Sequence, residues 1–133
     1  MNFAVAVKSF IVSDGKLLII KRRSNDVHKP GQWDIPGGRL GEGENPFEGI
    51  RRETKEEVGI DISIVAPLDI HHFSRDDGQR ITMIIFACTP MDTNVKLSEE
   101  HTEYRWEDIN IVENDVKWLK NPVSNYKKYF EGR

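Results

Sequence analysis

Gly37-Gly38-Arg39-Leu40-Gly41-Glu42-Gly43-Glu44, running into Asn45-Pro46-Phe47-Glu48-Gly49-Ile50-Arg51-Arg52-Glu53-Thr54-Lys55-Glu56-Glu57-Val58-Gly59-Ile60, is the stretch that decides how this chain is read. It reads as a glycine-rich loop feeding a short helix. Pro46 suits the first helical turn, where its missing N–H costs nothing. Gly59 suits the stop, because glycine takes the left-handed conformation at little cost. At ~100° per residue, Phe47, Ile50, Thr54 and Val58 fall on one narrow stripe, the side to bury. Glu53, Glu56 and Glu57 are related by i,i+3 and i,i+4 and share a different face.

That acidic face needs a reason. It lies toward the C-terminal end of the helix, where the macrodipole already presents partial negative charge. Two carboxylates ~6 Å apart repel by roughly 1 kcal/mol in water and ~3 kcal/mol at an effective dielectric near 20. The pairs Glu48–Arg52 and Arg52–Glu56 would offset a few tenths of a kcal/mol each. A solvated face laced with such pairs is the plain alternative. In a cleft those pairs fall short, and a hard divalent cation with oxygen ligands offsets the repulsion instead. The glycines at Gly37, Gly38, Gly41 and Gly43 let the backbone approach a ligand closely, and Pro36 stiffens the entry. Such a loop can offer carbonyls to a metal or N–H groups to phosphate.

Loop and helix together resemble the Nudix box of the Nudix hydrolases. Gly38, Glu44, Arg52-Glu53, Glu56-Glu57, Gly59 and apolar Ile60 occupy its fixed positions at its spacing. Thr54 stands where the family usually has a bulky apolar residue. Outside the box, Arg22-Arg23, Trp33-Asp34-Ile35-Pro36 and Glu100…Trp106 are similar to MutT-type members, so the resemblance extends over most of the chain. It implies the Nudix fold, an α/β/α sandwich with a mixed β-sheet and the box helix on one side. It also implies Mg²⁺-dependent hydrolysis, with Mn²⁺ as a substitute, of a diphosphate linkage in a nucleoside triphosphate. The products would be nucleoside monophosphate and pyrophosphate, with 8-oxo-dGTP, an oxidised purine nucleotide, as one candidate substrate. ADP-ribose or another nucleoside diphosphate-sugar is the alternative substrate, and a non-catalytic nucleotide sensor the alternative function.

The same resemblance carries over roles residue by residue. Glu53, Glu56 and Glu57 become metal ligands, joined by the carbonyl of Gly37 or Gly38. Glu44 is either an outer contributor to metal binding or an N-terminal turn residue favoured by the dipole. Arg52 orients a box carboxylate. The general base is Glu53 or Glu100, with Glu99 and Glu103 close enough to Glu100 to blur that assignment. Arg22 and Arg23 clamp phosphates, and Asn121 pairs with a purine edge. The plain readings are a solvated basic strand end for the arginines and a helix-breaking turn for Asn121. His71 and His72 are adjacent in a strand and point to opposite faces, so they are not read as a metal pair. His28 and His101 are read as loop residues, and Trp33 as a stacking or core residue.

Composition sets the outer limits. The 133 residues, 38% hydrophobic and 31% charged, suit one soluble domain spanning residues 1–133. A net charge of −3 without a basic stripe argues against duplex nucleic acid as a partner. The single cysteine, Cys88, excludes an intrachain disulfide and reads as a small buried hydrophobe. No membrane-spanning run or signal-peptide pattern is present, so a cytoplasmic location is expected. Strands are expected at Phe3 to Val12 and Lys16 to Lys21, joined by Asp14-Gly15. Further strands are expected at Trp33 to Ile35, Asp61 to Ile70 interrupted by Pro67, Arg80 to Thr89 and Glu103 to Trp106. The long apolar run Met83 to Cys88 marks a central strand. The tail, Asn114 to Phe130, is expected to hold helical segments divided by Asn121-Pro122.

Overall fold

A computed structural model describes residues 3–131. Strands β1 (Phe3–Ser13) and β2 (Lys16–Arg22) form the hairpin expected at Asp14-Gly15, both with positive φ. Then come β3 (Trp33–Asp34), β4 (Gly37–Arg39), helix α1 (Pro46–Val58), β5 (Ile62–Ser74), β6 (Arg80–Pro90) and β7 (His101–Asp108). Two 3-10 turns and helix α2 (Lys120–Tyr129) close the described chain. The sheet order is β3-β2-β1-β6-β5, with β4 added on β1 and β7 on β2. Among the described residues only β1 and β6 pair in parallel. The mixed sheet with a helix on each side is the expected α/β/α arrangement.

Alternation along β1 explains the two sides. Ala6, Phe10 and Val12 pack into one core with Val123 of α2, while Val7 and Ile11 pack into the other with Ile50 and Val58 of α1. β6 contributes Met83 and Ile85 to the first core and Phe86 and Cys88 to the second. A strand covered on both faces has no use for polar alternation, which is why it reads as one apolar run. Cys88 is buried as expected, and burial pushes its thiol up to about 12.

The β1–β2 hairpin pairs only next to its turn, at Val12–Leu17 and Ser13–Lys16. Beyond that the two strands splay, and residues 33–39 fill the gap. β3 pairs with β2 and β4 pairs with β1. Between them the Pro36 carbonyl accepts from the Ser9 N–H at 2.8 Å. Asp34, Ile35, Pro36 and Gly37 are consequently buried.

Several expectations are corrected. The start of the glycine loop, Gly37–Arg39, is a strand, because β1 offers it a free edge. Pro67 does not interrupt β5; the strand runs on to Ser74 and absorbs the missing donor through register irregularities at Ala66 and Pro67. Asn121-Pro122 lies in the first turn of α2 rather than dividing two helices, since proline is tolerated where no intrahelical donor is required. On α1, Ile50, Thr54 and Val58 are fully buried, but Phe47 is exposed and only leans its ring on Phe86 at 5.3 Å.

Candidate active site

The limits of α1 are set locally. The Asn45 side chain accepts from the Phe47 N–H at 2.8 Å, and Gly59, at φ 72°, donates its N–H to the Lys55 carbonyl at 3.0 Å. Thr54 is buried with its hydroxyl 2.5 Å from that of Ser9 on β1. This pins the rotation of α1 on the sheet and turns Glu53 and Glu57 toward β4. The Glu57 carboxylate accepts from the Gly37 N–H at 2.7 Å. The Glu53 carboxylate lies against Gly38, where a Cβ would stand 2.5–2.8 Å from its atoms. A Cβ on Gly37 would run into the Val7 carbonyl and Lys8. Gly37 is therefore required by close approach to backbone, while at Gly38 an added methyl group would have to displace the Glu53 carboxylate.

The three box carboxylates are not equivalent. Glu57 is only 8% exposed, and burial pushes its carboxyl up to about 7, against the opposing pull of Lys8 and the Gly37 N–H. Glu53 is half-buried and raised by burial first, with Glu56 adding to it and Arg52 opposing. Glu56 is exposed and pairs with Arg52 at 3.2 Å. Arg52 holds Glu44 bidentately, at 2.7 and 2.9 Å, and reaches Glu53 at 3.1 Å. The Arg52 bonds and the Gly41 N–H hold Glu44 down at about 2. Glu44 thus serves the local turn and Arg52, and no Glu48–Arg52 pair forms among the described residues, because Arg52 is turned the other way. Of the box carboxylates, Arg52 touches Glu53 and Glu56.

The segment before β7 reaches the same spot through backbone bonds. Lys96 and Ser98 donate their N–H groups to the Val58 and Glu57 carbonyls at 2.9 and 3.0 Å, and Arg23 donates to the Glu100 carbonyl at 2.9 Å. Glu100 and His101 are thereby delivered to the end of α1. One ligand atom each from Glu57, Glu100 and His101 lie within 4.8 Å of one another. Of the acids near Glu100, Glu99 is exposed and Glu103 pairs with Lys21 at 3.4 Å. His101 is not a loop residue; it opens β7 opposite Arg22 and is buried. Burial, with Arg22 and Lys8 nearby, pushes its imidazole down to about 4, so it is neutral at pH 7. Among the described residues, three buried side-chain polar atoms have no hydrogen-bond partner: Arg22 Nε, Arg23 Nε and His101 Nδ1. All three belong to this junction of β2 and β7.

On the other side of β4 lies a cavity of about 290 Å³. Lys8, Arg22, Lys29, Arg39 and Arg75 supply positive charge to its walls, and Phe73, Ile81 and Met83 an apolar surface. Asp34 is fully buried beside it, 3.1 Å from Lys8, 3.8 Å from Lys29 and 3.9 Å from Arg22, and accepts from Trp118 Nε1 at 3.3 Å. Burial alone would raise its carboxyl, but the three cations outweigh it and hold it down. Lys8 and Asp34 were not among the expected site residues. The signal was present: Lys8 is a lone charge in an otherwise apolar strand, and a buried charge needs a partner.

Arg22 pairs with Asp26 at 3.0 Å and lines the cavity, so it is no solvated strand end. Asn121 is exposed on α2 and is not among the residues lining this cavity. His71 stacks on Trp118 while His72 shares a hydrogen bond with Thr82, as their opposite facing requires. Trp33 packs at the edge of the core beneath the Arg105 guanidinium, 4.5 Å from its ring centroid. No helix among the described residues is long and apolar enough to cross a membrane.

Fold and site define a mixed-sheet α/β domain in which an acidic helix is set against a cation-lined cavity. The chain belongs to the Nudix family: the family model for the NUDIX domain matches residues 2–126. It is a Nudix pyrophosphohydrolase. It is 33% identical over 116 residues to the nucleoside triphosphatase NudI of Escherichia coli strain K12, covering 80% of this chain and 82% of that one. A crystal structure of a MutT protein from Methanosarcina mazei Go1 is similar at a TM-score of 0.85 and 25% identity, covering 95% and 94% of the two chains. A C. elegans Ap4A hydrolase is similar in fold at a TM-score of 0.79 and 18% identity, with 98% of each chain covered.

Proposed function

We propose that this protein hydrolyses a nucleoside triphosphate to the monophosphate and pyrophosphate with Mg²⁺, for which Mn²⁺ can substitute. The observation that carries the reading is the thin wall formed by Gly37 and Gly38. Carboxylates of Glu53 and Glu57 lie against one side of it, and a cation-lined cavity on the other. The likeness to a nucleoside triphosphatase supports a triphosphate as substrate. The donor set fits a hard divalent cation, since crowded, partly buried carboxylates raised by burial gain from a positive charge among them. Glu53, Glu56, Glu57 and the Gly38 carbonyl would hold it. Bound there, such a cation neutralises phosphate charge and lowers the pKa of a coordinated water.

The chain's own groups do the rest. Arg22, on the cavity wall, brings a guanidinium to the phosphates, and Arg23, next in the chain but not on that wall, is given the same role by the family resemblance. Arg52 keeps Glu53 and Glu56 oriented through its ion pairs. The proton of the attacking water goes to Glu53 or Glu100. The cavity's mixed apolar and charged walls suit a base and its sugar as well as phosphate.

A panel of nucleoside triphosphates, 8-oxo-dGTP and ADP-ribose with Mg²⁺ tests this, read as pyrophosphate against sugar phosphate. Pyrophosphate release from a triphosphate is the expected result. Turnover of ADP-ribose alone would reassign the substrate, and nucleotide binding without cleavage by Mg²⁺ or Mn²⁺ would make the protein a sensor.

A further inference from the structure

Asn121, expected to pair with a base edge, stands outside the cavity, so the group that reads the base is to be sought on the cavity's own lining. Ala6 and Lys8 share one face of β1, and Ile81 and Met83 line the same space from the neighbouring β6. A flat base gains from burial on such an apolar floor. One ammonium stands in it. Lys8 is 3% exposed and donates to Asp34 Oδ2 at 3.1 Å and to the Ile35 carbonyl at 3.2 Å. An ammonium has three N–H donors, and the third has no partner among the described residues. The acceptor beside it is taken. Asp34 Oδ1 accepts from the Ile35 N–H at 2.8 Å and from Trp118 Nε1 at 3.3 Å, while Oδ2 is faced by Lys8, Lys29 and Arg22.

We propose that Lys8 is a specificity-determining residue: its third N–H donates to a carbonyl oxygen on the edge of the bound base, so the enzyme favours keto bases over adenine. The inference rests on the nucleotide-hydrolase reading above and narrows its substrate. Adenine carries an amino donor where a keto purine such as hypoxanthine carries a carbonyl acceptor. A carbonyl meeting Lys8 completes a charge-assisted bond. An amino group there sets donor against donor and leaves both unsatisfied away from water. The ammonium is held for this task. Its two protein bonds fix its place, and its stem is confined by Gly37, where an added Cβ would stand 2.7 Å from Lys8 Cδ. β1 itself is paired on both sides at this point, with Gly37 of β4 and Ile85 of β6 opposite Lys8. Asp34 acts through Lys8 and is a positioning residue.

The test is binding of two monophosphates, IMP and AMP, to the whole protein with Mg²⁺ present, read calorimetrically and so independent of turnover. Wild type is expected to bind IMP at least ~10-fold more tightly than AMP, and equal affinities overturn the proposal. Lys8→Met keeps the bulk of the stem and removes the donor, so the ratio should fall toward one. A ratio that survives in this variant overturns the proposal. Lys8→Met also strips Asp34 of its nearest cation, which can cost the fold. Combining it with Asp34→Asn removes both buried charges together. The double variant should still lack the IMP preference, whereas recovery of that preference would make Lys8 a merely structural partner of Asp34. Pyrophosphate release from triphosphates with equal IMP and AMP affinities leaves the proposed function standing and removes only this role. An IMP preference that depends on Lys8 in a protein that cleaves nothing removes the function and keeps the role.

Discussion

Glu57 is the residue on which charge, burial and chemistry meet. Its carboxyl rises from an ordinary 4.5 to about 7 on burial. The folded state therefore holds this proton more tightly than the unfolded one. In metal-free protein, the contribution of Glu57 to stability is fully present below about pH 4.5 and is lost as pH climbs toward 7. His101 runs the other way, from 6.5 down to about 4, so its contribution is lost as pH falls through that window. In wild type the two slopes offset one another. Comparison with Glu57→Gln isolates the acid. In chelator-treated protein the variant should gain on wild type by about 1–3 kcal/mol as pH rises from about 5 to 7.5, measured by urea denaturation. A gap that does not change with pH would contradict the burial argument. With Mg²⁺ and nucleotide, the same variant should lose at least ~100-fold in turnover through lost metal stabilisation, while its circular dichroism stays that of wild type. Gly38→Ala forces a methyl group into the Glu53 carboxylate. The carboxylate end can swing away, so stability should change little while the displaced Glu53 depresses kcat, and an unaltered kcat would show that its placement against Gly38 does not matter.

At the scale of one element, α1 shows what was legible and what was not. Its limits could be read residue by residue, because Pro46 and Gly59 act on their own turns, while the Asn45 cap was supplied by the structure. Its acidic face could be read as a group, but not the division of labour within it. Glu57 is buried, Glu53 half-buried and Glu56 exposed because the helix is rotated on the sheet by a contact outside it, the Ser9–Thr54 hydroxyl pair. That pair also accounts for a threonine where the family usually places a bulky apolar residue. Thr54→Val should cost roughly 1–3 kcal/mol by leaving the Ser9 hydroxyl unsatisfied. Ser9→Ala together with Thr54→Val should recover most of that loss. Strictly additive single and double variants in a double-mutant cycle would mean that the hydroxyls do not act as a pair.

At the scale of the molecule, the site is assembled by the splay between β1 and β2 and by the return of residues 91–100 to the end of α1. Metal binding should couple to folding, because the donors come from segments far apart in sequence. At a hundredfold excess over its dissociation constant, a ligand specific to the native state adds about 2.7 kcal/mol, or roughly 10 °C in Tm for a chain of this size. Mg²⁺ should produce a shift of that order by calorimetry in wild type, and most of it should vanish in Glu57→Gln. An equal shift in both proteins would place the cation elsewhere. By itself the sequence determined what is local or periodic. The hairpin at Asp14-Gly15, the ends of α1, the central apolar strand and the box carboxylates all follow from neighbours a few positions away. Only the tertiary structure decided that Gly37–Arg39 is a strand, that Lys8 and Asp34 pair in the interior, that Asn121 stays outside the cavity, and that His101 stands beside Glu57. Those outcomes depend on which strand edge is left open and which charges are shut away from water, and pairings at such long separation leave no local mark on the chain.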